Sequence, residues 1–155
     1  MKQLSLSQNQ FIEEIANIHE QQLEQQYHDY KKTNLSVALR IEIIERSLKL
    51  ETSRILIETL DGVLLGFVWG RIETIGCKVV IEMLYVRPEY RHQGVGGKLK
   101  SSIEAWGISK GAQKIESTVA YSNKQMIEMN LNMGYQVEKV IMSKKLSVIN
   151  EDVNN

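Results

Sequence analysis

Cysteine and proline each occur once among 155 residues, as Cys77 and Pro88. A single thiol can neither close a disulfide within the chain nor build a thiolate-rich metal site. The three histidines, His19, His28 and His92, show no ligand spacing, so no metal is expected. No Gly/Ser-rich or charge-run segment marks a linker, and no internal repeat is visible. Neither sign of charge is in excess. With 19 basic and 19 acidic side chains the formal net charge is zero, which argues against the strongly basic surface that nucleic-acid binding rests on. Apolar runs are short, Val79-Val80-Ile81 being typical, against the roughly 18 residues of a membrane span. The opening Met1-Lys2-Gln3-Leu4-Ser5 lacks a signal-peptide pattern. The expectation is a cytoplasmic protein with no membrane or nucleic-acid partner.

What is present suits one core: 43% of residues are hydrophobic and 25% charged. Phe11, Ile15 and Ile18, with Ile12, Ala16, His19 and Leu23 beside them, have the spacing of an amphipathic helix. After a polar stretch from Gln25 to Asn34, a second helix places Val37, Ile41, Ile44 and Leu48 on one side. From Arg54 the period changes to that of strands. Ile55 to Leu60 and Val63 to Ile72 flank Asp61-Gly62, a two-residue hairpin signal. Gly76-Cys77 marks a further turn before a third strand, Lys78 to Val86, rich in β-branched residues. Beyond Pro88, Gly94 to Ser109 reads as a helix, Lys114 to Val119 as a strand, Asn123 to Met133 as a helix and Tyr135 to Leu146 as a last strand. These make an α+β domain over residues 1–146, with a polar tail at 147–155.

The stretch that carries chemistry is Leu84-Tyr85-Val86-Arg87-Pro88-Glu89-Tyr90-Arg91-His92-Gln93-Gly94-Val95-Gly96-Gly97-Lys98-Leu99. A strand ends at Val86, Pro88 forbids its continuation, and a tight turn feeds a helix. Gly94, Gly96 and Gly97 remove side chains where unpaired N–H groups and the positive end of the helix dipole converge. Such a place suits a pyrophosphate, with Arg91, His92 and Lys98 as flanking charge. Glycines there could equally serve close packing. The pattern is neither a dinucleotide fingerprint nor a Walker loop.

Arg91-x-x-Gly94-x-Gly96, following Leu84-x-Val86-x-Pro88, resembles the acetyl-coenzyme A signature of the GNAT superfamily of N-acetyltransferases. Asn123, Met126 and Gly134-Tyr135 fall where that family has an Asn, a small residue and a Gly-aromatic pair. The resemblance implies a mixed, mostly antiparallel sheet, splayed between its two central strands and flanked by about four helices. It also implies acetyl-coenzyme A as cosubstrate, no metal, a small-molecule amine as acceptor, and a homodimer as one form. Pantetheine would pair with main-chain groups of Leu84 and Val86, on either side of Tyr85. The pyrophosphate would rest on N–H groups from His92 through Gln93, Gly94, Val95 and Gly96 to Gly97. Arg91 and Lys98 would flank it, and Asn123 would reach the pantetheine arm.

Glu82, four residues before Val86, matches the family position of a base or water-holding residue. Strand alternation puts it on the face of Leu84 and Val86, where partial burial would tune it for proton transfer. A main-chain N–H near Leu84 would stabilise the oxyanion. Many relatives carry a tyrosine acid where this chain has Asn130, an amide that cannot give up a proton. A water or Tyr121 is left to protonate the leaving thiolate. Cys77 reads as incidental and His19 as a core-edge residue.

The second half is similar to aminoglycoside 6′-N-acetyltransferases. However, Thr118 stands where those enzymes commonly have an aspartate, and the leading helices lack their tryptophan-rich pattern. A domain that binds acetyl-coenzyme A without transferring it is the alternative from another class. Glu13, Glu14, Glu20, Glu24, Glu42 and Glu45 on the leading helices suggest a small cationic acceptor.

Overall fold

The structure is a computed structural model that describes residues 1–75 and 77–147. Gly76 of the expected turn, and 148–155 of the expected tail, lie outside the described residues. The chain divides into two compact units, one of Met1–Thr118 and one beginning at Val119.

The first unit runs β1 (Lys2–Gln3), α1 (Asn9–Gln26), α2 (Asn34–Leu48), β2 (Ser53–Leu60), β3 (Val63–Glu73), β4 (Lys78–Val86), a 3-10 turn (Pro88–Tyr90), α3 (Val95–Ser109) and β5 (Lys114–Ser117). The sheet order is β1-β2-β3-β4-β5. Pairing is antiparallel up to β4 and parallel between β4 and β5. The two-residue hairpin is as the sequence predicts. Leu60 pairs with Val63, and Asp61 and Gly62 both have positive φ, at 49° and 79°, the geometry that matches strand twist.

Each sheet face has its own core. Ile12, Ile15 and Ile44 of the leading helices pack on Ile55, Ile57, Phe67 and Trp69. On the opposite face Leu99, Ile103 and Trp106 of α3 pack on Val68, Val79 and Ile81. Each such fully buried aliphatic side chain contributes about 2 kcal/mol. A capping box opens α2: the Thr33 hydroxyl accepts from the Ser36 N–H (3.0 Å), and the Ser36 hydroxyl accepts from the Thr33 N–H (2.9 Å).

Between the leading helices Glu20 is buried. It pairs with Arg40 Nε at 3.0 Å and accepts a hydrogen bond from the Tyr30 hydroxyl. Burial pushes its carboxyl up, but the Tyr30 and Arg40 hydrogen bonds outweigh that and hold it below the usual range. Three more leading-helix glutamates are engaged, Glu14 by Arg87, Glu42 by Arg46 and Glu24 by the Lys32 N–H.

The second unit contains α4 (Lys124–Asn132). The last strand expected at Tyr135 to Leu146 is not formed among the described residues: that segment has no regular secondary structure, is mostly exposed and is in no ladder. Its Val137, Val140 and Ile141 have strand propensity. A strand is completed only by a partner's backbone, however, which local pattern does not specify.

Candidate active site

β5 pairs with only the first half of β4, from Lys78↔Lys114 to Ile81↔Ser117. Beyond Ile81 the second half of β4 has no strand neighbour on that side among the described residues, so Leu84, Tyr85 and Val86 border an opening in the sheet. This is the expected splay. Its cause is the shortness of β5.

A bulge lies at the same place. Trp69 pairs with Met83 while Gly70 pairs with Ile81, leaving Glu82 as the extra residue. The bulge corrects the alternation argument. Val79 and Ile81, then Leu84 and Val86, face α3, so Glu82 is turned with Met83 and Tyr85 toward the α1/α2 face. It is also not buried. The Glu82 side chain is 36% exposed and is ion-paired with Arg71, which also holds Glu73.

After β4 the chain turns through His92, at φ 60°, and Gly94, at φ 81°, into α3. A left-handed non-glycine residue costs about 1–2 kcal/mol and marks a backbone held for a purpose. Gly94 caps α3 without a side-chain bond. Lys98 N–H is the first to bond back, to the Gly94 carbonyl at 3.0 Å. The N–H groups of Val95, Gly96 and Gly97 precede that first helical bond, as an anion cradle requires. A Cβ placed on Gly94 or Gly97 would meet nothing within 4 Å, so the approach is open. An open groove of about 630 Å³ passes the same turn, lined by Gly94, Gly97, Lys98, Ser101 and Ser102 with Met1 and Glu58. It shares nothing with Leu84 to Val86.

Arg91 braces this turn. Its Nε donates to the Val86 carbonyl at 2.9 Å, and its guanidinium lies 6.0 Å from the Tyr85 ring centroid. Gln93 Nε2 donates to the Glu89 carbonyl at 3.0 Å. In the second unit the Asn123 side-chain oxygen caps α4, accepting from Met126 N–H at 3.1 Å, which leaves its amide hydrogens to donate elsewhere. Asn130 is buried, and Tyr121 is 82% exposed with the Lys124 ammonium 3.5 Å over its ring. Cys77 is exposed. Among the described residues no group of three or more His, Cys, Asp or Glu could hold a metal, and no helix is long and apolar enough to cross a membrane.

His19 packs against Trp69 with ring centroids 6.0 Å apart, and its buried Nδ1 has no partner among the described residues. Burial, aided by Arg40 and opposed by Glu20, lowers its pKa from 6.5 to about 4. Above pH 6.5 the histidine is neutral in both folded and unfolded chains. Between pH 6.5 and 4 only the unfolded chain takes up the proton, so stability falls as pH drops through that window. The expected loss is up to roughly 3 kcal/mol. Denaturant titrations should show His19→Phe flattening this acid limb, and an unchanged limb would assign the loss to other groups.

The Acetyltransferase (GNAT) family model matches residues 12–135, and the chain belongs to that family of acyltransferases. It is similar to an aminoglycoside N(6′)-acetyltransferase type 1 of Salmonella typhimurium, 29% identical over 93 residues. That match covers 55% of this chain and 64% of the relative, less than two thirds of the relative's length. A thialysine N-epsilon-acetyltransferase of Bos taurus is 31% identical over 61 residues, covering 39% of this chain and 36% of the relative. Among solved structures, a Staphylococcus aureus protein described as of the GNAT family superposes with a TM-score of 0.73 at 38% identity, covering 76% of this chain and 98% of that one. The aminoglycoside N-acetyltransferase AAC(6′)-Iy in complex with CoA has a TM-score of 0.59 at 27% identity, covering 71% and 90%. The mostly antiparallel sheet, of five strands among the described residues, with its helices is the fold of this family.

Sequence reasoning missed Arg71, which pairs with Glu82, and Glu73, Lys78 and Glu116, which continue the row on the same sheet face. Their only signal was charge at strand positions, which reads as solvation until the register is known.

Proposed function

We propose that this chain transfers the acetyl group of acetyl-coenzyme A directly to a primary amine of a small acceptor, within one domain over residues 1–146. The observation that carries this reading is the coincidence, on one strand, of the open β4 edge at Leu84 to Val86 with the bulged Glu82 and the left-handed turn into α3. The edge and turn suit the pantetheine and pyrophosphate of the donor. Glu82 suits the acceptor, because an alkyl amine is mostly protonated at neutral pH.

The ammonium gives a proton to Glu82, directly or through a water, and the free amine attacks the thioester carbon. A main-chain N–H near Leu84 stabilises the oxyanion. Collapse of that tetrahedral intermediate re-forms the carbonyl, breaks the C–S bond and expels the thiolate. The surplus proton on nitrogen then goes to the thiolate through water or Tyr121. Thiols have pKa near 8.5, so coenzyme A can leave without a strong acid. Asn123 and Asn130 are assigned to the coenzyme by the family pattern alone. Arg91 and Gln93 brace the phosphate turn, and His92 and Lys98 flank it. The cytoplasm and a homodimer stay part of the proposal.

The relatives favour one second reading, aminoglycoside 6′-N-acetylation. Against it, Thr118 is exposed just after β5 and offers no carboxylate to a polycation. Thiol release over a panel of aminoglycosides and simpler amines, run beside coenzyme A binding, tests both readings. Binding without release on any amine would favour a binding module. In the same assay Tyr121→Phe and Asn130→Ala are both expected to stay active, with water completing proton transfer. A loss on the order of 10²-fold in Tyr121→Phe would instead make Tyr121 the acid.

A further inference from the structure

Beyond Trp69, the α1/α2 face of the sheet carries a continuous row of ion pairs across β3, β4 and β5. Glu82 pairs with Arg71, Arg71 with Glu73 (3.2 Å), Glu73 with Lys78 (3.6 Å), Lys78 with Glu116 (2.9 Å) and Glu116 with Lys114 (3.3 Å). The row alternates three carboxylates with three cations. Its two end members by the bulge remain reachable, Arg71 being 44% and Glu82 36% exposed.

This arrangement constrains what can bring an amine to Glu82. The carboxylate already holds a guanidinium, so an incoming ammonium must displace Arg71 or compensate it. A purely cationic acceptor offers no such compensation for Arg71. An acceptor with a carboxylate beside its amine does compensate: its ammonium takes Glu82 while its carboxylate takes Arg71. Arg71 is suited to that exchange. Its Nε faces Glu82 and its Nη1 faces Glu73; among the described residues no hydrogen bond takes Nη2, and a planar fork recognises carboxylates well. Because guanidinium and carboxylate are in direct contact, the acceptor's own two charges must lie only a few bonds apart.

From this geometry we propose that Arg71 is a specificity-determining residue and that the acceptor is an α- or β-amino acid, acetylated on the amine next to its carboxylate. The inference rests on Glu82 being the proton acceptor, as above.

The test uses sets of amines built on the same side chain: the free amino acid, its amide and its decarboxylated amine, with acetyl-coenzyme A and the full chain. The wild type is expected to favour the free acid by about 10-fold or more in kcat/KM, mostly through KM. Arg71→Met should erase that preference, and Arg71→Lys should keep part of it, having the charge without the fork. A wild type that favours the amides, decarboxylated amines or polyamines overturns the inference, as does a preference that survives Arg71→Met. Equal rates on all three members, suppressed by Glu82→Gln, would overturn the acceptor class and leave the base in place. Transfer indifferent to Glu82→Gln would remove the base and this inference with it.

Discussion

Glu82→Gln is expected to lower turnover by roughly 10²-fold or more, with acetyl-coenzyme A affinity nearly unchanged. The amide keeps the size and one acceptor oxygen of the carboxylate but cannot take the ammonium proton. Its surroundings sharpen the expectation. Glu82 is the extra residue of the β4 bulge, so its place is set by backbone geometry rather than by side-chain packing, and the substitution should leave the fold intact. The loss should shrink as pH rises and more acceptor arrives already neutral, which gives a pH-dependent ratio of wild-type to variant rates. Full activity of the variant at neutral pH would return Glu82 to an ordinary exposed strand residue held by Arg71.

The second large effect is expected at the turn into α3. Acetyl-coenzyme A should stabilise the folded chain, since it binds that state and not the unfolded one. At about 100 times Kd the gain is about 2.7 kcal/mol, a rise in Tm of roughly 5 °C or more for a chain of this size. Gly96→Val should remove most of that shift by placing a branched side chain among the N–H groups ahead of the first helical bond. Melting of the free protein supplies the control. A variant with a free-protein Tm close to wild type and no ligand shift has lost the cradle alone, whereas an undiminished shift would falsify the phosphate reading.

The local parts of this structure were legible in the sequence because local chemistry decides them. Asp61-Gly62 tolerates positive φ and closes a hairpin, and Gly94 after Pro88 forces a turn at a helix start. Glu82 was singled out in the sequence but placed on the wrong face, because one inserted residue reverses alternation and no local pattern marks a bulge here. The row from Glu82 to Lys114 joins three strands and appears only when their register is known. Glu20, grouped in the sequence with the glutamates that suggested a cationic acceptor, is buried and bonded by Arg40 and Tyr30 from further along the chain. The strand expected at Tyr135 to Leu146 failed for the same reason in reverse, since its pattern was suitable and its partner was not encoded nearby.

The central claim, direct transfer from acetyl-coenzyme A to an amine, is tested most directly by following three masses in one reaction: free coenzyme A, the N-acetylated amine, and the intact protein. The account predicts coenzyme A and N-acetyl product in equal amounts, with the protein unmodified both with and without acceptor. Coenzyme A release that leaves an acetyl group on the protein, on Cys77 for example, would contradict direct transfer. Tight acetyl-coenzyme A binding with no N-acetyl product from any amine would contradict catalysis itself.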